Sequence, residues 1–209
     1  MFNFDLPSLV AKVVILLVAF PIHEFAHAFV AYRLGDDTAA RQGRLTLNPL
    51  AHLDPLGSLL LLVSFIGWAK PVPVAPWRLR YGPRVGNALV AAAGPASNLL
   101  MAALVAVIWR LGLLRDVPPS LLQFVGIFMT INVSLALFNL IPLAPLDGSS
   151  VLLGVVGPEL ARMLEPMRTY GPMILMGLFM VGYLSPQFNI IGTILNDGVT
   201  VVMNLLLGR

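Results

Sequence analysis

"LPSLVAKVVILLVAFPIHEFAHAFVAYRL" (residues 6–34) carries two signals at once. Its length and apolarity suit one crossing of a bilayer, which needs about 20 mainly apolar residues. Its second half also holds His23, Glu24 and His27. Ionisable groups inside a span are costly and mark functional sites. The stretch therefore sets both the fold class, a membrane helix, and the place to look for chemistry.

Composition extends the first signal to the whole chain. Of 209 residues, 58% are hydrophobic and 11% charged, against about 25% charged in an ordinary soluble domain. Mean hydropathy is +0.87. The sequence predicts an all-α polytopic membrane protein in contact with the lipid bilayer. One membrane domain covers residues 1–209, with a catalytic core at about 6–150 and C-terminal helices at about 151–209. The N-terminal apolar run lacks a basic leader and a small-residue cleavage site, so it reads as an uncleaved span. There is no cysteine, which excludes disulfides and thiolate chemistry. The net charge is only +3, and the basic residues cluster beside membrane segments. Nothing points to nucleic acid.

Further spans are expected at Asn87–Trp109, Ser120–Ile141 and Tyr170–Leu184. Ile190–Leu207 is the weakest, because Asn196-Asp197-Gly198 interrupts it. Four to six spans result. Ala88, Ala92 and Ala96 form a small-residue face suited to close helix packing. Leu56–Trp68 is apolar but short for a crossing. Seven of the 13 basic residues (Arg33, Arg41, Arg44, Lys70, Arg78, Arg80 and Arg84) flank it on both sides. The positive-inside tendency favours a segment that dips in and returns, keeping all seven cytoplasmic. The first span then runs from outside to inside. "GRLTLNP" (43–49) alternates apolar and polar residues, the signature of a short membrane-associated strand.

His23-Glu24-Phe25-Ala26-His27 has the form H-E-x-x-H. Residues i and i+4 share a helix face, so two imidazoles on adjacent turns can hold one zinc ion. Glu24 follows the first histidine and is placed to act as general base. A catalytic zinc site usually has three protein ligands. Asp147, in "FNLIPLAPLDGSS" (138–150), is one candidate, because Pro142 and Pro145 prevent a regular helix and leave an unwound segment at membrane depth. His52, in "NPLAHLDP" (48–55), is the rival; it could also face the site from the dipping segment. Asn98, in "AAGPASNLL" (92–100), and Asn139 could donate to an oxyanion or hold a substrate backbone. Pro21 frees the carbonyl of Leu17 and can kink the first helix.

HEFAH in the first span, GPASN opening a middle span and NLIPLAPLDG after the third resemble the site-2 protease family of intramembrane zinc metalloproteases. The three motifs occur in the family's order and frame residues 20–150. The resemblance implies one catalytic Zn2+ held by His23, His27 and Asp147, with Glu24 as base. It favours Asp147 over His52 as third ligand. Asn98 and Asn139 match motif asparagines. It further implies a transmembrane protein as substrate. The expected location is multi-pass in the plasma membrane of a prokaryote, with the active site nearer the cytoplasmic face because Arg33 marks the inner end of the first span. The unwound substrate would pair with a strand near Leu45–Leu47. The chain resembles the compact branch without PDZ or CBS domains. The competing reading is a zinc-binding transporter or sensor, which needs ligands but no general base.

Overall fold

The computed structural model describes residues 6–64 and 67–208. Its helices are α1 (Leu6–Val14), α2 (Phe20–Arg33), α3 (Thr38–Arg41), α4 (Pro55–Ser64) and α5 (Gly82–Arg110). They continue with α6 (Pro119–Asn139), α7 (Asp147–Val155), α8 (Pro158–Leu164), α9 (Met167–Leu184) and α10 (Ile190–Leu207). A π-helical turn at Ile15–Ala19 joins α1 to α2. Pro21 explains its place: without an N–H, and with its ring against the preceding turn, it cannot continue a regular α ladder. The sequence anticipates a disturbance there, and the chain absorbs it without breaking.

Among the described residues, four helical stretches are long and apolar enough to cross a membrane: Leu9–Arg33, Gly82–Arg110, Pro119–Asn139 and Ile190–Leu207. The all-α membrane fold is thus as the composition indicates. Two details differ. Ile190–Leu207 is one unbroken helix despite Asn196-Asp197-Gly198, and a Cβ on Gly198 would meet the Leu137 side chain at 3.1 Å. That glycine admits close approach to α6 and does not end the helix. α9 is continuous over 18 residues but is not among the four, because Arg168, Thr169 and Tyr170 make its first turns polar.

α5 is the central post, packing against α2, α6 and α7. Apolar burial gains little against lipid tails, so close contact and polar bonds must hold such helices together. The buried stripe on α5 includes Ala91, Gly94, Asn98, Ala102 and Ala106. Ala88 belongs to the buried set, whereas Ala92 is half-buried and Ala96 exposed. The small-residue face is therefore rotated from the expected one. Between α6 and α7 the chain is irregular, as Pro142 and Pro145 require. Leu143 and Leu146 are buried there with Leu175 of α9 and Ile191 of α10. The C-terminal helices thereby support the segment that delivers Asp147.

The segment around α4 leaves and returns on one side. Leu53 and Ala69 form an antiparallel bridge, and the Lys70 N–H donates to the His52 carbonyl at 2.8 Å. A ten-residue helix is about 15 Å long, half the bilayer's hydrocarbon thickness. Phe65 and Ile66 lie outside the described residues. The Lys12 ammonium of α1 donates to the Leu62 carbonyl at 2.6 Å, and Leu61 packs on Ile15 and Leu16.

The strand expected at Leu45–Leu47 is not formed: residues 43–48 are turns and coil. Side chains occupy the groups that a ladder would need. Thr46 Oγ1 accepts from Asn48 N–H, Asn48 Oδ1 accepts from Leu50 N–H, and the Thr46 carbonyl accepts from His52 Nε2. Such local bonds offer the backbone an alternative to pairing.

Candidate metal centre

α2 carries His23 and His27 on one face, one turn apart, and both are buried at 7% exposure. Asp147 enters from the first residue of α7. The three donors converge. His23 Nε2 and His27 Nε2 are 3.0 Å apart. Asp147 Oδ2 lies 3.1 Å from the first and 3.4 Å from the second. Ligands held at 2.0–2.1 Å in a zinc tetrahedron stand about 3.3 Å from one another. The side chains already have that separation.

Proton positions make the same point. His27 Nδ1 lies 2.7 Å from the Val90 carbonyl, which can only accept, so Nδ1 carries the proton. His23 Nδ1 lies 2.7 Å from Asn98 Oδ1 and donates to it. Both Nε2 atoms therefore present lone pairs, to each other and to a carboxylate oxygen. Asp147 Oδ2 is buried with no hydrogen-bond donor. Three acceptors with no proton between them fit a cation.

Glycine makes this convergence possible. A Cβ on Gly94 would fall 2.5 Å from His23 Nε2 and 2.5 Å from His27 Nε2. A Cβ on Gly148 would fall 2.3 Å from the Leu140 carbonyl. The first lets α5 lie against both imidazoles. The second folds the turn that presents Asp147.

The group opens on a cavity of about 460 Å³, lined among others by Glu24, Trp68, Val72, Val74 and Asn139. Glu24 is thus beside the donors, at the same cavity. Asn139 is also there, its Nδ2 donating to the Leu135 carbonyl at 2.9 Å. Asn98 is not. It is fully buried, its Oδ1 accepts from His23, and its Nδ2 donates to Asn132 Oδ1 at 2.9 Å. His52 is fully buried too and falls outside the His23–His27–Asp147 group.

Sequence reading passes over two features of the site. One is Asn132, which stands behind Asn98 in mid-helix and carries no motif signal. The other is the cavity edge at Pro71–Ala75, read from sequence as a mere connector. Its signal is the Pro-Val-Pro-Val alternation, which forces extended backbone.

Fold and cavity define a helical membrane protein with three side chains in its interior suited to a metal ion. Residues 116–183 match the model of peptidase family M50. YwhC of Bacillus subtilis, whose assigned name is zinc metalloprotease, is 44% identical over 173 residues, covering 80% of this chain and 78% of that one. Rip2 of Mycobacterium tuberculosis, named likewise, is 34% identical over 178 residues, covering 82% and 67%. The similarly named MJ0611 of Methanocaldococcus jannaschii is 31% identical over 151 residues, covering 72% and 73%. No solved structure matches the chain at a significant level. The chain belongs to peptidase family M50, the site-2 proteases, and is a zinc metalloprotease.

Proposed function

We propose that this protein hydrolyses peptide bonds within or near transmembrane segments of other membrane proteins, as a step in regulated intramembrane proteolysis. The observation that carries the reading is the convergence of His23, His27 and Asp147 beside Glu24, at a cavity between membrane-crossing helices. We assign the zinc to these three ligands, and residues 6–150 form the catalytic core of a single domain. The bound zinc supplies Lewis acidity.

The remaining steps belong to the chain. Glu24 takes a proton from the attacking water as the C–O bond forms. It returns that proton to the amide nitrogen as the C–N bond breaks. Asn139, at the cavity wall, is the side-chain amide available to the substrate. Asn98 is committed to His23, and His52 to Thr46.

The substrate edge moves from Leu45–Leu47 to Val72–Val74. Both valines line the cavity, and their backbone groups have no partner among the described residues. Arg44 donates to the Lys70 and Pro71 carbonyls. Asp36 Oδ2 accepts from the Ala75 N–H at 2.6 Å. These buried side chains secure both ends of the segment and leave its middle available for β-addition by an unwound substrate.

The test is cleavage of a panel of transmembrane substrates by purified wild-type enzyme and by Glu24→Gln. The variant should keep its zinc and lose activity by ~10²–10⁴-fold. Mass spectrometry should map the cut within or beside the substrate's apolar segment. Equal cleavage by both proteins overturns the assignment of Glu24, and cuts confined to soluble loops overturn the substrate class.

A further inference from the structure

His23 must present Nε2 unprotonated to serve as a ligand, yet a neutral imidazole carries its proton on either nitrogen. For His27 the choice is made in one step by the Val90 carbonyl. For His23 it is not, because its partner is an amide. Asn98 could present either its oxygen or its NH₂. With the NH₂ facing the ring, the proton would shift to Nε2 and the ligand would be lost.

The packing behind Asn98 resolves this. Asn132 Nδ2 lies 2.9 Å from the Phe128 carbonyl, which can only accept. Asn132 therefore turns its NH₂ toward Phe128 and its Oδ1 toward Asn98. Asn132 Oδ1, 2.9 Å from Asn98 Nδ2, fixes that nitrogen as the donor. Asn98 Oδ1 is then left to accept from His23 Nδ1 at 2.7 Å. Asn98 and Asn132 are both at 0% exposure, so water does not compete. The direction of every bond in the chain follows from one main-chain carbonyl on α6.

We propose that Asn132 is a positioning residue for the metal centre: through Asn98 it fixes the tautomer of His23, and so keeps Nε2 open as a zinc ligand. The relay runs from α6 through α5 to α2 and so links three helices long and apolar enough to cross a membrane. It accounts for a buried asparagine pair where apolar residues would pack as well against lipid-facing helices. Asn132 touches neither the cavity nor the reacting atoms. This inference rests on His23 being a ligand, as proposed above.

The experiment uses the full-length protein, metal-free and zinc-loaded, with 15N-labelled histidine. Only three histidines are present, and His27→Ala and His52→Ala assign the spectrum. Metal-free wild type at neutral pH should show His23 with Nδ1 protonated and Nε2 bare. Asn132→Leu should give a mixture of tautomers, and zinc affinity, read by chelator competition, should fall ~10–100-fold as for other outer partners of metal ligands. Asn98→Asp in the Asn132→Leu background should restore both, because a carboxylate accepts from Nδ1 without help from Asn132. An unchanged His23 tautomer in Asn132→Leu overturns the proposal. So does loss of affinity that Asn98→Asp fails to recover. If wild type and His23→Ala bind zinc equally, the ligand assignment itself is wrong. The tautomer measurement on metal-free protein separates that failure from failure of the relay.

Discussion

Gly94 of α5 lies against His27 of α2 so closely that a methyl group there would stand 2.5 Å from the imidazole Nε2. The same methyl would stand 2.5 Å from His23 Nε2. Gly94→Ala should therefore displace both imidazoles. Zinc content and proteolysis should both fall by at least ~10-fold, since a ligand moved by an ångström loses its geometry. Intrinsic helix propensity pushes the other way, favouring alanine by about 1 kcal/mol. Metal analysis beside a thermal melt checks this: loss of zinc without loss of helix supports the contact, and retained zinc refutes it.

The His23–His27–Asp147 group is legible in the sequence because its signal is local or nearly so. HEFAH needs only a helix for His23 and His27 to share a face, and Asp147 directly follows a proline-broken segment that cannot be ordinary helix. The alternation at Leu45–Leu47 suggests a strand that does not form, because period two does not reveal who takes the backbone bonds. Thr46, Asn48 and His52 take them. Asn132 was invisible for a different reason. A lone asparagine in an apolar helix has no pattern, and its meaning depends on Asn98, 34 positions away. The Val72–Val74 edge leaves no local pattern because Arg44 and Asp36, distant in sequence, hold its ends.

Asp147 and His52 should separate cleanly. Asp147→Ala removes the only carboxylate of the group and should weaken zinc by more than the ~10–100-fold typical of outer partners. His52→Ala should leave zinc occupancy unchanged. It should instead lower stability by about 1–3 kcal/mol, the cost of losing a buried hydrogen bond to Thr46. Zinc stoichiometry and urea midpoints in detergent read the two effects. Loss of zinc in His52→Ala with full occupancy in Asp147→Ala would exchange their roles.

Asp36 secures the Ala75 end of the cavity edge from just beyond α2. Burial raises its pKa, but the Thr38 hydroxyl, the Ala75 and Thr38 N–H groups and the Arg78 charge outweigh this. The net pKa lies below the ordinary 3.8. A carboxyl with a lowered folded pKa contributes its full stability above the unfolded value and loses it as pH falls through the folded one. Asp36 should thus add no pH dependence near neutrality and should steepen acid unfolding only below about the ordinary carboxylate range. Asp36→Asn turns an N–H toward Ala75 or Thr38 and should raise KM several-fold with kcat little changed. An acid limb of the stability curve identical to wild type, or a change confined to kcat, would count against the tether.

From the basic residues around α3 and α4 we propose that this end of the molecule faces the cytoplasm, with the metal centre nearer to it. From His27 to Arg33 is about 9 Å of helix. The absence of cysteine makes the orientation directly measurable. Gln42 and Asp116 are both exposed; Gln42 follows the Arg33 end of α2, and Asp116 follows the Arg110 end of α5. A membrane-impermeant maleimide added to intact cells should label Asp116→Cys and spare Gln42→Cys. Permeabilisation should bring Gln42→Cys to the same level. The reverse pattern would place Arg33, Arg41 and Arg44 outside, and the cavity's entrance with them. Labelling of both sites in intact cells would mean that the chain does not hold one orientation. Proteolysis by each variant should match wild type, since neither position lines the cavity, so the labelled protein is the active one.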